Sequence, residues 1–164
     1  MSPSSYVTPY TPLKSDAEEA AATLKKGEVA KIQLGAQIDG FGTIACDNVV
    51  VGGGPIEGRT ADLLLATHYA NELLLRLLVP PGLLAATEEE KKKAAGAKPP
   101  SQARINQLLD KVVKAYGCSV VESTTCWLFE RNEIEGKKKI ILNPGEGVKG
   151  EGTPEVMEVW GVEM

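Results

Sequence analysis

The stretch EVAKIQLGAQIDGFGTIACDNVVVG, from Glu28 to Gly52, decides the architecture. Ala30, Ile32, Leu34, Ala36 and Ile38 alternate with Val29, Lys31, Gln33, Gly35 and Gln37, the period-2 pattern of a half-buried strand. Asp39-Gly40 follows, a strong two-residue hairpin signal because Gly supplies the positive φ of a type I′ turn. The return strand is expected from about Phe41 to Val51. With Asp39 and Gly40 as the loop, Ile38 faces Phe41, Gly35 opposes Ile44 and Gln33 opposes Cys46. Gln33 and Ile44 then become diagonal neighbours on one sheet face, about 7–8 Å apart between Cα atoms.

Working outward, the GGGPIEG loop leads to Thr60-Ala61-Asp62, which reads as a helix start with a capping hydroxyl and an acid in its first turn. This helix should run to about Leu78, stopped by Pro80-Pro81-Gly82, and its wide apolar girth makes it a buried layer helix. Leu83 to Pro100, LLAATEEEKKKAAGAKPP, is low in complexity, with only a Leu pair to anchor it, and reads as an inserted surface loop. Ser101 caps a second helix, in which Ile105, Leu108, Leu109, Val112, Val113 and Tyr116 fall on one stripe before Gly117 ends it. Cys118–Val121, Lys138–Leu142 and Glu155–Val162 read as strands. This order of strands, two helices and strands predicts an α+β layer, an antiparallel sheet with two covering helices.

Composition narrows the function classes. In 164 residues, 18 Lys and Arg stand against 22 Asp and Glu for a net charge of −4, so overall charge alone gives no strong affinity for nucleic acid. At 43% apolar and 24% charged, the chain is neither disordered nor fibrous, while 17 Gly and 10 Pro point to long loops. The most apolar stretch, Ala61 to Val79, is broken by Asp62, His68, Asn71, Glu72 and Arg76, and gives no membrane span. The start MSPSSYVTPY lacks the basic and apolar regions of a secretory signal, which leaves cytosol or nucleus. Cys46, Cys118 and Cys126 are odd in number with no C-x-x-C pair, as expected of reduced thiols.

The blocks KIQLGAQIDGFGTIACDNVVVG, TADLLLATHYANELLLRLL, QARINQLLDKVVKAYGCSVVES, EGKKKIILNPGEG and EVMEVWGVEM resemble, in register, consecutive parts of one family. It is the methionine aminopeptidase-like, pita-bread (creatinase/aminopeptidase) family, in the branch that holds the proliferation-associated protein and the fungal curved-DNA-binding protein. The nuclear export factors for the large ribosomal subunit are a more distant branch. The resemblance implies one partial pita-bread domain over residues 1–164, with the insert at about 83–100 and with the family's N-terminal helices and C-terminal half absent. A final strand close to Met164 and the extended start SYVTPYTP carry the same expectation of a central fragment.

Active members of this fold hold two divalent metals with two Asp, one His and two Glu, because a dimetal centre needs anionic bridging oxygens to lower the pKa of a bound water. The resemblance places the two Asp positions at Gln33 and Ile44, the His near Thr125 to Trp127, the substrate-facing His at Pro9, and one Glu at Glu163. A neutral amide, an alkyl chain and a single carboxylate form a degenerate set, so no catalytic residue, metal or cofactor is expected. The resemblance further implies ribosome and structured-RNA binding, a part in ribosome biogenesis or translation control, and residence in the cytoplasm and the nucleus or nucleolus. DNA is an alternative partner, protein partners are open, and no membrane is implied.

Other residues weigh less. His68 with Glu72 at i+4 reads as a helix-surface pair rather than an acid–base couple. GGG at Gly52 to Gly54 and Gly145 to Gly147 lack the order of a phosphate-binding loop. Lys137, Lys138, Lys139 and Lys149 are candidate phosphate contacts, set against a solvated charge run partly neutralised by Glu133 and Glu135. Trp127, Leu128, Phe129 and Trp160 read as core rather than as a base-stacking platform.

Overall fold

The computed structural model describes residues 1–7 and 10–164. Strand β1 (Ser2–Pro3) pairs antiparallel with β2 (Val29–Ile38), and β2 with β3 (Phe41–Val50). The turn sets the expected register: Ile38 pairs with Phe41, Gly35 with Ile44 and Gln33 with Cys46. Asp39 and Gly40 both have positive φ, 52° and 88°, as a type I′ turn requires.

The hairpin departs from expectation in its burial. Leu34, Ile38 and Phe41 are 70%, 74% and 61% exposed, so the alternating apolar face is not covered within the described residues. The two long helices pack elsewhere. Helix α1 (Ala17–Ala20) is a single exposed turn, while α2 (Gly58–Leu78) and α4 (Gln102–Ala115) lie against a second sheet, order β5-β4-β6, made of β4 (Thr124–Phe129), β5 (Lys139–Leu142) and β6 (Val159–Gly161). Ala70, Leu74 and Leu78 of α2, Ile105, Leu109 and Val113 of α4, and Cys126, Ile140 and Leu142 of this sheet form one core. The antiparallel strands are therefore divided between two sheets, with both long helices on one of them.

Helix α4 follows its sequence signals: the Ser101 hydroxyl accepts from the Arg104 N–H, and Gly117 takes φ 63° after the last turn. Helix α2 corrects the reading of Thr60 as its cap. It starts three residues earlier, with Glu57 at the cap and no side-chain cap bond. A tertiary clamp holds that end instead: Arg59 donates to the carbonyl oxygens of Tyr116 (2.9 Å) and Gly117 (3.0 Å), tying the start of α2 to the end of α4. Opposite partial charges meet there, a guanidinium on carbonyls that the helix leaves unbonded.

Three further corrections concern segments with competing local bonds. Cys118–Val121 is irregular, and the strand lies at 124–129; Asn143 Nδ2 donates to Val120 O (2.8 Å) and Ser123 takes φ 61°, so side-chain bonding and a turn replace a ladder there. The expected strand at 155–162 contracts to 159–161 because Met157 takes φ 73° and the Glu155 N–H donates to the Glu158 carboxylate. Within the insert, α3 (Glu88–Ala94) forms a short exposed helix opened by a full capping box of Thr87 and Glu90. No helix among the described residues is long and apolar enough to cross a membrane.

The hairpin tip is docked on the second sheet's turn. The Asn132 N–H donates to Gly40 O (2.6 Å) and Arg131 Nε to Asp39 O (3.1 Å), while a Cβ on Gly40 would stand 2.9 Å from Arg131 Cγ. Gly is required here twice over, for its φ and for the close approach.

Candidate functional site

Pleating places Gln33, Gly35, Ile44 and Cys46 on one face of the hairpin, with Gln33 opposite Cys46 and Ile44 opposite Gly35. Strand β6 brings Glu163 toward this face. Partial desolvation pushes the Cys46 thiol above its ordinary pKa, and the Glu163 carboxylate adds to the push. The Cys126 thiol donates to Glu163 O at 3.6 Å, and its burial raises its pKa to about 11. Glu163 thus lies near enough to Cys46 to act on its thiol, and Cys46 pairs with Gln33 on the ladder face that also carries Ile44.

The donor chemistry does not fit a dimetal centre. Gln33 offers one neutral carbonyl donor, Ile44 none, and Glu163 a single carboxylate, without the bridging anions such a centre requires. The Thr125–Trp127 strand contributes no imidazole: Thr125 donates its hydroxyl to Ser123 O, Cys126 is buried, and Trp127 carries the Lys139 ammonium 5.3 Å from its ring centroid. Among the described residues no group of three or more His, Cys, Asp or Glu is placed to hold a metal ion. Pro9, matched to the substrate-facing His, lies outside the described residues.

The four candidate lysines are divided. Lys138 Nζ is held by Glu155 (2.7 Å) and Glu158 (2.5 Å) and reaches Thr153 O (3.4 Å). Its pKa is raised by Glu155 and then Glu158. Burial pushes the Glu158 carboxyl up, but bonds from Lys138, the Glu155 N–H and the Trp160 indole outweigh it and leave the pKa below its ordinary value. Lys139 is half-buried over Trp127, and its backbone bridges antiparallel to Glu151. That bridge directs Lys137 and Lys149 away from each other along the strand, and both are exposed. Lys137 and Lys139 therefore flank one end of β5, with Lys149 toward the other.

The other candidates take structural places. Glu72 pairs with Arg76 (2.7 Å), which lowers its carboxyl pKa, and His68 sits edge-on to Tyr69. Leu128 is buried, and Trp160 packs on the core with its indole N–H given to Glu158. Sequence reading missed the amides of α4. Gln102 bonds both Lys139 O and the Ile141 N–H (3.3 Å each), and Asn106 Nδ2 donates to Ile141 O (3.3 Å), so side chains close the free edge of β5. Their spacing of four residues was a signal, since it puts both amides on one helix face.

No protein-family profile matches the chain. The curved DNA-binding protein of Schizosaccharomyces pombe is 33% identical over 100% of this chain and 39% of its own length. ERBB-3 binding protein 1 of Solanum tuberosum is 29% identical over 94% of this chain and 35% of its own. Among solved structures, that of a thermophilic Arx1 superposes with a TM-score of 0.91 at 67% identity, over 98% of this chain and 45% of that one. The chain spans less than half the length of each. The blocks of sequence and the superposed backbone agree: the chain has a partial pita-bread fold and is related to the curved DNA-binding protein, to ERBB-3 binding protein 1 and to Arx1, with the identity to Arx1 the highest of these three.

Proposed function

We propose that this chain belongs to a catalytically inactive methionine aminopeptidase homologue that binds the large ribosomal subunit or its precursors, through structured RNA, in ribosome biogenesis or translation control. What supports the reading is that Gln33 and Ile44, which the resemblance sets at the family's two Asp positions, are diagonal neighbours in the hairpin and carry no acid. High identity to Arx1 and the resemblance to a ribosome-associated branch support it. On this reading the protein needs no cofactor and works in the cytoplasm and the nucleus or nucleolus. Lys137, Lys139 and Lys149 contact rRNA phosphates, and Lys138 orders the loop beside them.

Co-sedimentation with purified large subunits across a salt series, with metal analysis of the same sample, tests the reading. Binding that weakens steadily as salt rises, without stoichiometric metal, is the expected result. Pelleting that ignores salt, or bound metal accompanied by aminopeptidase activity, overturns it and returns the residual metallo-aminopeptidase reading that Glu163 and the fold keep open.

A second reading, a DNA-binding, transcription-linked adaptor, is favoured by one observation, the name of the curved DNA-binding relative. Competition between bent DNA, random DNA and ribosomal RNA separates the two, because only a reader of DNA shape gains from the bend.

A further inference from the structure

Thr11-Pro12-Leu13-Lys14 takes no part in the site described above. The chain holds four Ser-Pro or Thr-Pro pairs, at Ser2, Thr8, Thr11 and Thr153, and only Thr11 has a basic residue three places on; the others have Ser5, Thr11 and Val156 there. The fold separates them further. Ser2 is 4% exposed and pairs with Lys31 in the β1–β2 ladder. Thr153 is exposed, but Lys138 Nζ holds its carbonyl at 3.4 Å and the acidic Glu155 follows two residues on. Thr8 lies outside the described residues. Thr11 and Lys14 are exposed, and residues 10–13 lie in neither helix nor strand. Among the described residues no backbone hydrogen bond holds Thr11 or Pro12, and the next turn begins only at Leu13, whose carbonyl accepts from the Asp16 N–H (2.9 Å). The Thr11 hydroxyl oxygen accepts one exposed hydrogen bond, from the Met1 amine at 3.2 Å.

We propose that Thr11 is a phosphorylation site, the acceptor of a proline-directed serine/threonine kinase that reads Pro12 and Lys14. A kinase cleft takes its substrate extended. Pro12 has its own φ fixed and biases Thr11 toward the extended region, so less conformational freedom is lost on binding. Proline also lacks an N–H, so its backbone enters an apolar pocket beside the acceptor without leaving a donor unsatisfied. The Lys14 ammonium then pairs with an anionic group of the kinase. In the transfer Thr11 Oγ1 attacks the γ-phosphorus of ATP: the Oγ1–P bond forms, the bond from that phosphorus to the bridging oxygen breaks, ADP leaves with the electron pair, and the hydroxyl proton passes to a kinase carboxylate. The product gains a charge of about −1.5 to −2 at pH 7. This inference stands apart from the ribosome reading, because it rests on residues 11–14 and on none of the candidate lysines of β5.

The test incubates the folded chain with ATP and a purified cyclin-dependent kinase and maps the phosphate by tandem mass spectrometry. Phosphate on Thr11 is expected, with Ser2 and Thr153 unmodified. Thr11→Val should abolish it, and Thr11→Ser, which keeps the hydroxyl, should retain most of the rate. Pro12→Ala and Lys14→Ala should each lower kcat/KM at least about tenfold. Transfer confined to Ser2, Thr8 or Thr153, no transfer at all, or a rate indifferent to Lys14→Ala overturns the assignment. The same mapping on the protein isolated from its own growing cells, with phosphatases inhibited, should find phosphothreonine at Thr11. A Thr11 that stays unmodified there at every stage of growth overturns the proposal as well.

Discussion

Gln33 and Ile44 are diagonal neighbours on one face of the β2–β3 ladder, reached through their partners Cys46 and Gly35. On the proposed reading, the two positions keep their adjacency and lack the acids of a divalent site. Two added carboxylates there supply the anionic oxygens that hard cations require. The double variant Gln33→Asp/Ile44→Asp is expected to bind Mn²⁺ at least about tenfold more tightly than the parent chain by calorimetry, with Glu163→Gln removing most of the gain. Unchanged Mn²⁺ binding in the double variant would show that Glu163 and the ladder do not converge.

The ion triad of Lys138 with Glu155 and Glu158 gives a pH window. Glu158 titrates below its ordinary value of 4.5, so its contribution is present above that value and is lost as pH falls through the lower, folded pKa. Lys138 titrates above 10.5, so its contribution is complete below that value and is lost as pH rises through the folded pKa. Amide exchange of residues 151–158 should be slowest between these limits and accelerate on both sides. Lys138→Gln should flatten the profile; an unaltered profile would refute the tether.

Arg59 joins the first turn of α2 to the last carbonyls of α4. Its side chain is 69% exposed, so the ion pair with Asp62 counts for little, and the two bonds to backbone carry the effect. Arg59→Ala should lower stability by about 1–2 kcal/mol in denaturant titration. Arg59→Lys should recover less than half, since an ammonium cannot fork across two carbonyls. Full recovery by lysine would mean that charge, not geometry, is the contribution.

Thiol labelling separates the cysteines. Cys46 is exposed, whereas Cys126 is wholly buried with its pKa pushed up to about 11, so iodoacetamide should modify Cys46 in the native chain and spare Cys126. Glu163→Gln should speed the labelling of Cys46 near neutral pH, because the carboxylate disfavours the thiolate. No change in rate would place Glu163 outside the reach of Cys46.

Much of this was legible in the residues. Asp39-Gly40 dictated a register correct at every pair of the ladder, and the stripe from Ile105 to Val113 named the buried face of α4. What failed had long-range causes. Nothing local says that Arg59 finds Tyr116 and Gly117, so Thr60 looked like the better helix start. Val120 and Val121 are both strand formers, yet Asn143, 23 residues after Val120, takes its carbonyl. At the candidate site the neutral side chains of Gln33 and Ile44 were plain, and the resemblance alone sets them at acid positions. The lysines were not, because the acids that take up Lys138 are 17 and 20 residues away and only the fold unites them.

The exposure of the hairpin has a consequence for how such a chain changes over generations. Neither Gln33 nor Ile44 belongs to the core that α2, α4 and the second sheet enclose, and the turn and backbone ladder hold the ribbon whatever those side chains are. Mutation can reach both positions without passing through an unfolded intermediate form. A lineage on this scaffold is free to change the chemistry of these two positions and keep its shape.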